Sequence, residues 1–243
     1  MLFTDGIILT MQDLRDHDNY VLEVASTESI ELSSKLALSQ RAVGYELASY
    51  LTNREAPISL DRVVVTDELR DLLAVQTLAA VYGDAYNRNL NDRYLGRAKD
   101  FRHMSERSFR RFLQNGVGIA RTAVRRADKP AVECTFEGGL NVGVYRVQIA
   151  WQHVAGNVGE RSDAVAVECT GGGLAVTPRS YPENMAGWHV FISAADGIPL
   201  RQNEAPIQEA TWIQANPLRS ELDGPEASGP DYYVRQSAQM LRR

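Results

Sequence analysis

The chain has 243 residues, 44% of them hydrophobic and 23% charged, which is enough to bury one ordinary core or two small ones and excludes a disordered or fibrous protein. Two cysteines and four histidines are too few for a disulfide framework or a metal cluster of recognised spacing. The formal net charge of −5 conceals three blocks: residues 1–92 carry seven basic and fifteen acidic side chains, residues 93–126 ten and two, and residues 127–243 nine and fourteen. Blocks of −8, +8 and −5 predict a molecule that touches something, a second copy of itself included.

The N-terminus Met1-Leu2-Phe3-Thr4-Asp5 lacks the basic start and apolar run of a signal peptide. The charge-free stretch Leu72 to Gly83 is too short to cross a bilayer, so the expectation is a soluble, non-secreted protein with no membrane partner. From Ser26 to Arg54 there is no proline. Leu32, Leu36, Val43, Leu47 and Leu51 recur at four- and seven-residue steps, which predicts one helix with Ser26 or Thr27 as its N-cap. Thr66 followed by Asp67 and Glu68 marks the start of a second helix reaching Leu90. A third spans Asp92 to Leu113 and stops at Asn115-Gly116. On it Tyr94, Ala98, Phe101, Phe109 and Phe112 share a buried stripe. Arg93, Arg97, Arg107 and Arg111 share an adjacent arc of about 80°.

Near residues 125–130 the period changes. Val142 to Trp151, Val165 to Val167, Trp188 to Ile192 and Ile207 to Ile213 read as strands. Gly138-Gly139, Gly156-Asn157, Gly171-Gly172-Gly173 and Asp196-Gly197 separate them as turns. About seven short strands make a β-sandwich the economical expectation. Residues 221–230 have a linker composition, and the last thirteen residues interleave Tyr232, Tyr233, Val234, Met240 and Leu241 with Arg235, Arg242 and Arg243, a pattern that predicts docking.

Chemistry-bearing patterns are scarce. Gly171-Gly172-Gly173 lacks the Gly-Lys-Ser/Thr and the helix of a phosphate cradle. Cys134 and Cys169 can meet across the sandwich but read better as two buried free thiols, and His153 and His189 as packed rather than metal-binding histidines. No Gly-x-Ser-x-Gly elbow or catalytic-thiol context occurs, and no spacing singles out a carboxylate pair for glycoside hydrolysis. Trp151, Trp188 and Trp212 read as core rather than as a carbohydrate platform. For the four arginines three readings stay open: a solvated face paired with the acidic first half, contact with a protein, and contact with DNA phosphates.

The helix ending Tyr82-Gly-Asp-Ala-Tyr86-Asn-Arg-Asn-Leu-Asn-Asp-Arg-Tyr94, followed by the basic helix, resembles the helical core of tailed-phage head-to-tail connector proteins. Gly143-Val-Tyr145-Arg-Val-Gln-Ile-Ala-Trp151, Gly159-Glu-Arg-Ser162 and Gly187-Trp-His-Val-Phe191-Ile-Ser are similar to fibronectin type III or immunoglobulin-like modules of phage structural proteins. The resemblance implies an α+β chain: a helical bundle over 1–125, an all-β fibronectin III/Ig-like sandwich over 126–217, and an extended docking tail over 218–243.

It further implies a structural virion protein rather than an enzyme, made in the host cytoplasm and lodged in the neck between portal and tail, with no cofactor. Its implied partners are the portal protein, further copies in a ring, usually dodecameric, a downstream tail or nozzle protein, and genomic DNA in the channel. The contact candidates are Arg93, Arg97, Arg107, Arg111, Tyr232, Tyr233, Met240, Leu241, Arg242 and Arg243. An accessory neck, collar or adhesion protein, a virion-associated cell-wall hydrolase and a cellular DNA-binding protein are the competing expectations.

Overall fold

The computed structural model describes residues 1–89, 92–195, 197–219 and 227–236. Helix and sheet segregate along the chain, as in the expected α+β class, into a helical unit (residues 3–121 with 229–236) and a sheet unit (residues 122–228 with 1–2). The division falls after Arg121, close to the boundary expected near residue 125. Residues 229–236, expected within a tail running on from 218, instead return to the helical unit, so the sheet unit is an insertion in it.

In the helical unit, α1 (Met11–His17) opens on a capping box: the Asp13 amide donates to the Thr10 hydroxyl at 3.2 Å and the Thr10 amide to the Asp13 carboxylate at 2.6 Å. The single helix expected from Ser26 is two, α2 (Val21–Thr27) and α3 (Leu32–Thr52). Between them Ser29 adopts a φ of 52° and the Ile30 amide donates to the Ala25 carbonyl at 2.8 Å, which turns buried Ile30 into the core. Ser26 and Thr27 are therefore the last turn of α2 and not the cap of α3.

Thr66 caps α4 (Asp67–Asn89), its hydroxyl accepting from the Leu69 amide at 3.4 Å. Helix α5 (Asp92–Asn115) ends at Gly116, whose φ of 115° is open to glycine and strained for other residues and whose amide donates to the Phe112 carbonyl. The buried stripe of α3 (Leu36, Val43, Leu47, Leu51) and the leucines of α4 (Leu69, Leu72, Leu73, Leu78) form the centre of this unit. No helix among the described residues is long and apolar enough to cross a membrane.

The chain leaves α5 through strand β1 (Val117–Ile119), which pairs antiparallel with the returning strand β7 (Tyr232–Val234). The Asp231 carboxylate accepts from the Arg121 amide at 2.6 Å, so outgoing and incoming segments are fastened to each other.

The sheet unit comprises β2 (Ala131–His153), β3 (Val165–Thr177), β4 (Met185–Ala194), β5 (Leu200–Arg201) and β6 (Trp212–Gln214) in one antiparallel sheet, order β5-β4-β2-β3-β6. It has fewer and longer strands than expected, because Gly138-Gly139 is not a turn. The β2–β3 register slips there between Thr135 and Leu140, and β2 continues beyond it. Gly171-Gly172-Gly173 likewise lies within β3, against that bulge, and not in a turn. At Gly138, φ is 149° and an added Cβ would lie 2.3 Å from the Gly172 carbonyl oxygen. Trp151 and Trp188, paired across β2 and β4, are buried with Val147, Ile149, Val190 and Leu174, while Trp212 is half-buried against them.

Candidate functional site

The sequence points to the cationic face of α5. The helix carries its core residues Tyr94, Ala98, Ser105 and Phe112 on one side and leaves Arg93, Arg97, Arg107 and Arg111 exposed on another, as the 100° phase requires. Phe101 and Phe109, expected in the buried stripe, are only half-buried.

The four arginines do not share one role. Arg97 reaches the buried Asp18, with 2.7 and 2.9 Å from its guanidinium to the two carboxylate oxygens, and also donates to the Tyr82 hydroxyl at 3.0 Å. Tyr82 in turn donates to Asp18. Burial and the adjoining Asp18 carboxylate push the Tyr82 hydroxyl far above its ordinary value, so it stays a neutral donor. The hydrogen bond to Asp18 holds Arg97 even more firmly charged. Tyr20 covers the guanidinium, its ring centre 5.2 Å away, and Phe101 stacks on Tyr82 at 5.3 Å. This is a completed internal network, and it joins the acidic first block to the basic block within one chain.

Arg93 lies over the Tyr94 ring at 5.6 Å. Burial and Glu28 push the Tyr94 hydroxyl up. Arg107 donates to the carbonyl of His103 one turn back at 3.4 Å, and Arg111 borders a small cleft of about 140 Å³ shared with Glu68 and Asp71 of α4. Among the described residues neither Arg107 nor Arg111 closes an ion pair.

At the other end of the chain Tyr232 pairs with Ile119 and Tyr233 with Gly118, Tyr232 half-buried and Tyr233 half-exposed. These two tyrosines, expected in an extended docking tail, pair instead with β1 of the same chain. Met240, Leu241, Arg242 and Arg243 lie outside the described residues.

Sequence reasoning missed Asp18 and Tyr82. Nothing local flags Asp18, one acid among fifteen in its block, because its partner Arg97 is 79 positions away.

In the sheet unit His189 is buried, 2.7 Å from the Gln152 amide oxygen and 2.9 Å from the Asn203 amide nitrogen, and burial pushes its pKa down to about 4. It is a neutral, hydrogen-bonded strand residue at pH 7. His153 accepts from the Ala155 amide at 3.0 Å. Both cysteines are free, but only Cys169 is buried; Cys134 is exposed. Desolvation of its sulfur and the neighbouring Cys169 push the Cys134 thiol up to about 11, which makes it a poor nucleophile at neutral pH. Among the described residues no group of three or more His, Cys, Asp or Glu is placed to hold a metal ion.

Compared with known proteins, the chain matches no protein-family model and no curated protein sequence.

Proposed function

We propose that the protein is a head-to-tail connector of a tailed bacteriophage: a structural virion protein whose copies form a ring, dodecameric as in the group it resembles, that docks on the portal and carries the DNA channel towards the tail. The observation that carries this reading is the charge division of the helical unit. Arg107 and Arg111 stand exposed on α5 without an ion pair among the described residues, while Asp16, Glu23 and Glu46 are exposed on α1, α2 and α3. Exposed cations on one helix and exposed carboxylates on others suit a head-to-tail contact between identical subunits, which closes into a ring when the rotation allows.

The finer expectation, a fibronectin III/Ig-like module, is supported by its motifs lying side by side, Gly143–Trp151 on β2 against Gly187–Ser193 on β4, with Trp151 opposite Trp188. In this reading the sheet unit is the outer skirt of the ring. Phe136, fully exposed at the bulge of β2, favours a second reading in which the module serves as an adhesive surface of a neck or collar.

The test is reversal of both free arginines. Arg107→Glu with Arg111→Glu is expected to abolish the ring seen by electron microscopy of the protein mixed with its portal, and the ring of the unaltered protein is expected to weaken with salt. A ring that forms undiminished at every salt concentration overturns the charge argument. Monomers of the unaltered protein that never join the portal overturn the connector reading. Arg97 is left alone in this test because its loss would damage the network around Asp18.

A further inference from the structure

Strand register alone would keep the two cysteines of the sheet unit apart. Cys134 of β2 stands opposite Leu174 of β3, five positions beyond Cys169, a separation of about 16 Å along a regular strand. β3 is not regular there. Gly171 and Gly172 have φ of 104° and 105°, outside the strand region, and an added Cβ at Gly172 would lie 2.0 Å from the Thr135 carbonyl oxygen of β2. The bend brings Gly173, the partner of Thr135, back to Cys169: the Cys169 sulfur lies 3.6 Å from the Gly171 carbonyl oxygen and 3.7 Å from that of Gly173.

Cys134 closes the gap from the other side, its thiol donating to the Glu168 carbonyl at 3.2 Å. That oxygen belongs to the peptide leading into Cys169 and is about 2.8 Å from the Cys169 Cα, so the Cys134 sulfur stands within about 6 Å of that Cα. In a disulfide the same separation is roughly 4 Å, a difference within the sweep of one χ1 rotation. The pair is also asymmetric. Cys134 is exposed, whereas Cys169 is fully buried with Leu140, Tyr145 and Leu174. A reagent in solvent reaches one sulfur, and the other is reached only by its neighbour.

We propose that Cys134 and Cys169 are an oxidisable pair, and that a low-molecular-weight disulfide converts them into an intrachain bridge that locks the bend of β3 onto β2. Cys134 gives its proton to solvent and attacks the small disulfide; a mixed disulfide forms, and one small thiolate leaves and is protonated. Cys169 then attacks the Cys134 sulfur of the mixed disulfide, its proton passing to the second departing thiolate, and the protein bridge forms. Two protein thiols are oxidised and one small disulfide is reduced to two thiols. The first step is slow at neutral pH because little of Cys134 is thiolate, while the second is intramolecular. The pair therefore stays open in a reducing compartment and closes in an oxidising one. A virion protein passes from one to the other, but the pair stands whether or not the protein is a connector.

Incubating the purified full chain with oxidised glutathione at mildly alkaline pH tests this. Titratable thiols should fall from two to none, with the mass lowered by two hydrogens, no glutathione retained and a denatured product that runs as a single chain. Cys169→Ser should instead hold one glutathione on Cys134, and Cys134→Ser should react at least tenfold more slowly because only the buried thiol is left. The bridged chain should unfold about 1 M later in urea by tryptophan fluorescence, and a reducing dithiol should restore the original midpoint. Two thiols that persist, a lasting glutathione adduct on the unaltered chain, disulfide-linked dimers, or a bridge that forms only after urea has unfolded the sheet unit overturns the pair. A bridge that leaves the urea midpoint unchanged overturns the lock. Should a serine variant misfold, peptide mapping of the oxidised unaltered chain decides: a peptide linking Cys134 to Cys169 supports the pair, and its absence overturns it.

Discussion

The two units hold themselves together by different means. In the sheet unit the polar groups that enter the core are neutral, His189 with Gln152 and Asn203, and the weight of packing falls on Trp151 and Trp188. In the helical unit a charged carboxylate, Asp18, is buried and is held by Tyr82 and by Arg97 at the surface, while most of the remaining charge stays exposed. A sheet satisfies its own backbone laterally and needs side chains chiefly to fill space. Helices satisfy their backbones internally and leave side chains to fix which helix lies against which, and a paired charge does this at one point. The comparison can be broken unit by unit, because all three tryptophans lie in the sheet unit and, among the described residues, long helices only in the other, so fluorescence and helical circular dichroism report separately.

The largest effect is expected from Trp188→Ala. The side chain is fully buried opposite Trp151 and its indole donates to the Glu209 carbonyl at 3.1 Å, so truncation should cost about 3–5 kcal/mol. That is a large fraction of the roughly 5–15 kcal/mol that keeps a typical domain folded. The remaining tryptophans should report an unfolded or strongly destabilised sheet unit in urea while the helical signal persists. The helical unit can tolerate this because holding β1 and β7 together across a loosened loop of about a hundred residues costs free energy that grows only logarithmically with length. Simultaneous loss of both signals would show the two cores to be one cooperative system.

Next in size is the pH dependence of the sheet unit. His189 titrates near 6.5 when unfolded and near 4 when folded, so below pH 6.5 the unfolded chain takes up a proton that the folded one refuses. Stability conferred by the neutral ring is fully present above pH 6.5 and is lost as pH falls towards 4, by up to about 3 kcal/mol. Tryptophan fluorescence in urea should show a falling midpoint across that window, and His189→Gln should flatten the slope.

Breaking the charged pair should have a smaller effect on the helical unit. Asp18→Ala leaves Tyr82 without its acceptor in the core but frees a guanidinium that is already partly in water, so a loss of about 2–3 kcal/mol is expected in helical circular dichroism. Tyr82→Phe, which removes only the hydroxyl, should cost about 1 kcal/mol.

How much of this was legible beforehand depends on whether the determinant is local. Thr66 and Gly116 bound α4 and α5 as read because a cap acts on the next few residues. The four arginines fell on one face because helical phase is arithmetic. The break at Ser29 was not legible, since Ser26 to Arg54 contains no proline and its only glycine, Gly44, lies within α3, and the burial of Ile30 is a tertiary fact. Gly138-Gly139 was misread for a related reason. Two glycines mark a turn or a bulge alike, and only Gly172 coming within 2.3 Å of a Cβ position distinguishes them. Of the candidate site, the surface arginines were visible and the Asp18 anchor was not, because a contact across 79 positions leaves no periodic trace.

The smallest expected effects lie at the two non-glycine residues with positive φ among the described residues, one in each unit: Ser29 at 52° and Asn184 at 61°. Both are exposed, so packing does not distinguish them. A left-handed conformation costs most L-residues about 1–2 kcal/mol, but asparagine visits it readily, whereas serine has no such ease. Substituting glycine relieves that cost and adds unfolded-state entropy worth about 0.4–1 kcal/mol in the opposite sense. Ser29→Gly should therefore stabilise the helical unit by roughly 0.5 kcal/mol, and Asn184→Gly should leave the sheet unit unchanged or slightly weaker, since only the entropy remains. Equal gains at both sites would mean that the strand-entry turn at Asn184 is as strained as the helix break. No gain at either would mean that Ser29 is held without strain, and that Ile30, by its burial, alone fixes where α2 ends and α3 begins.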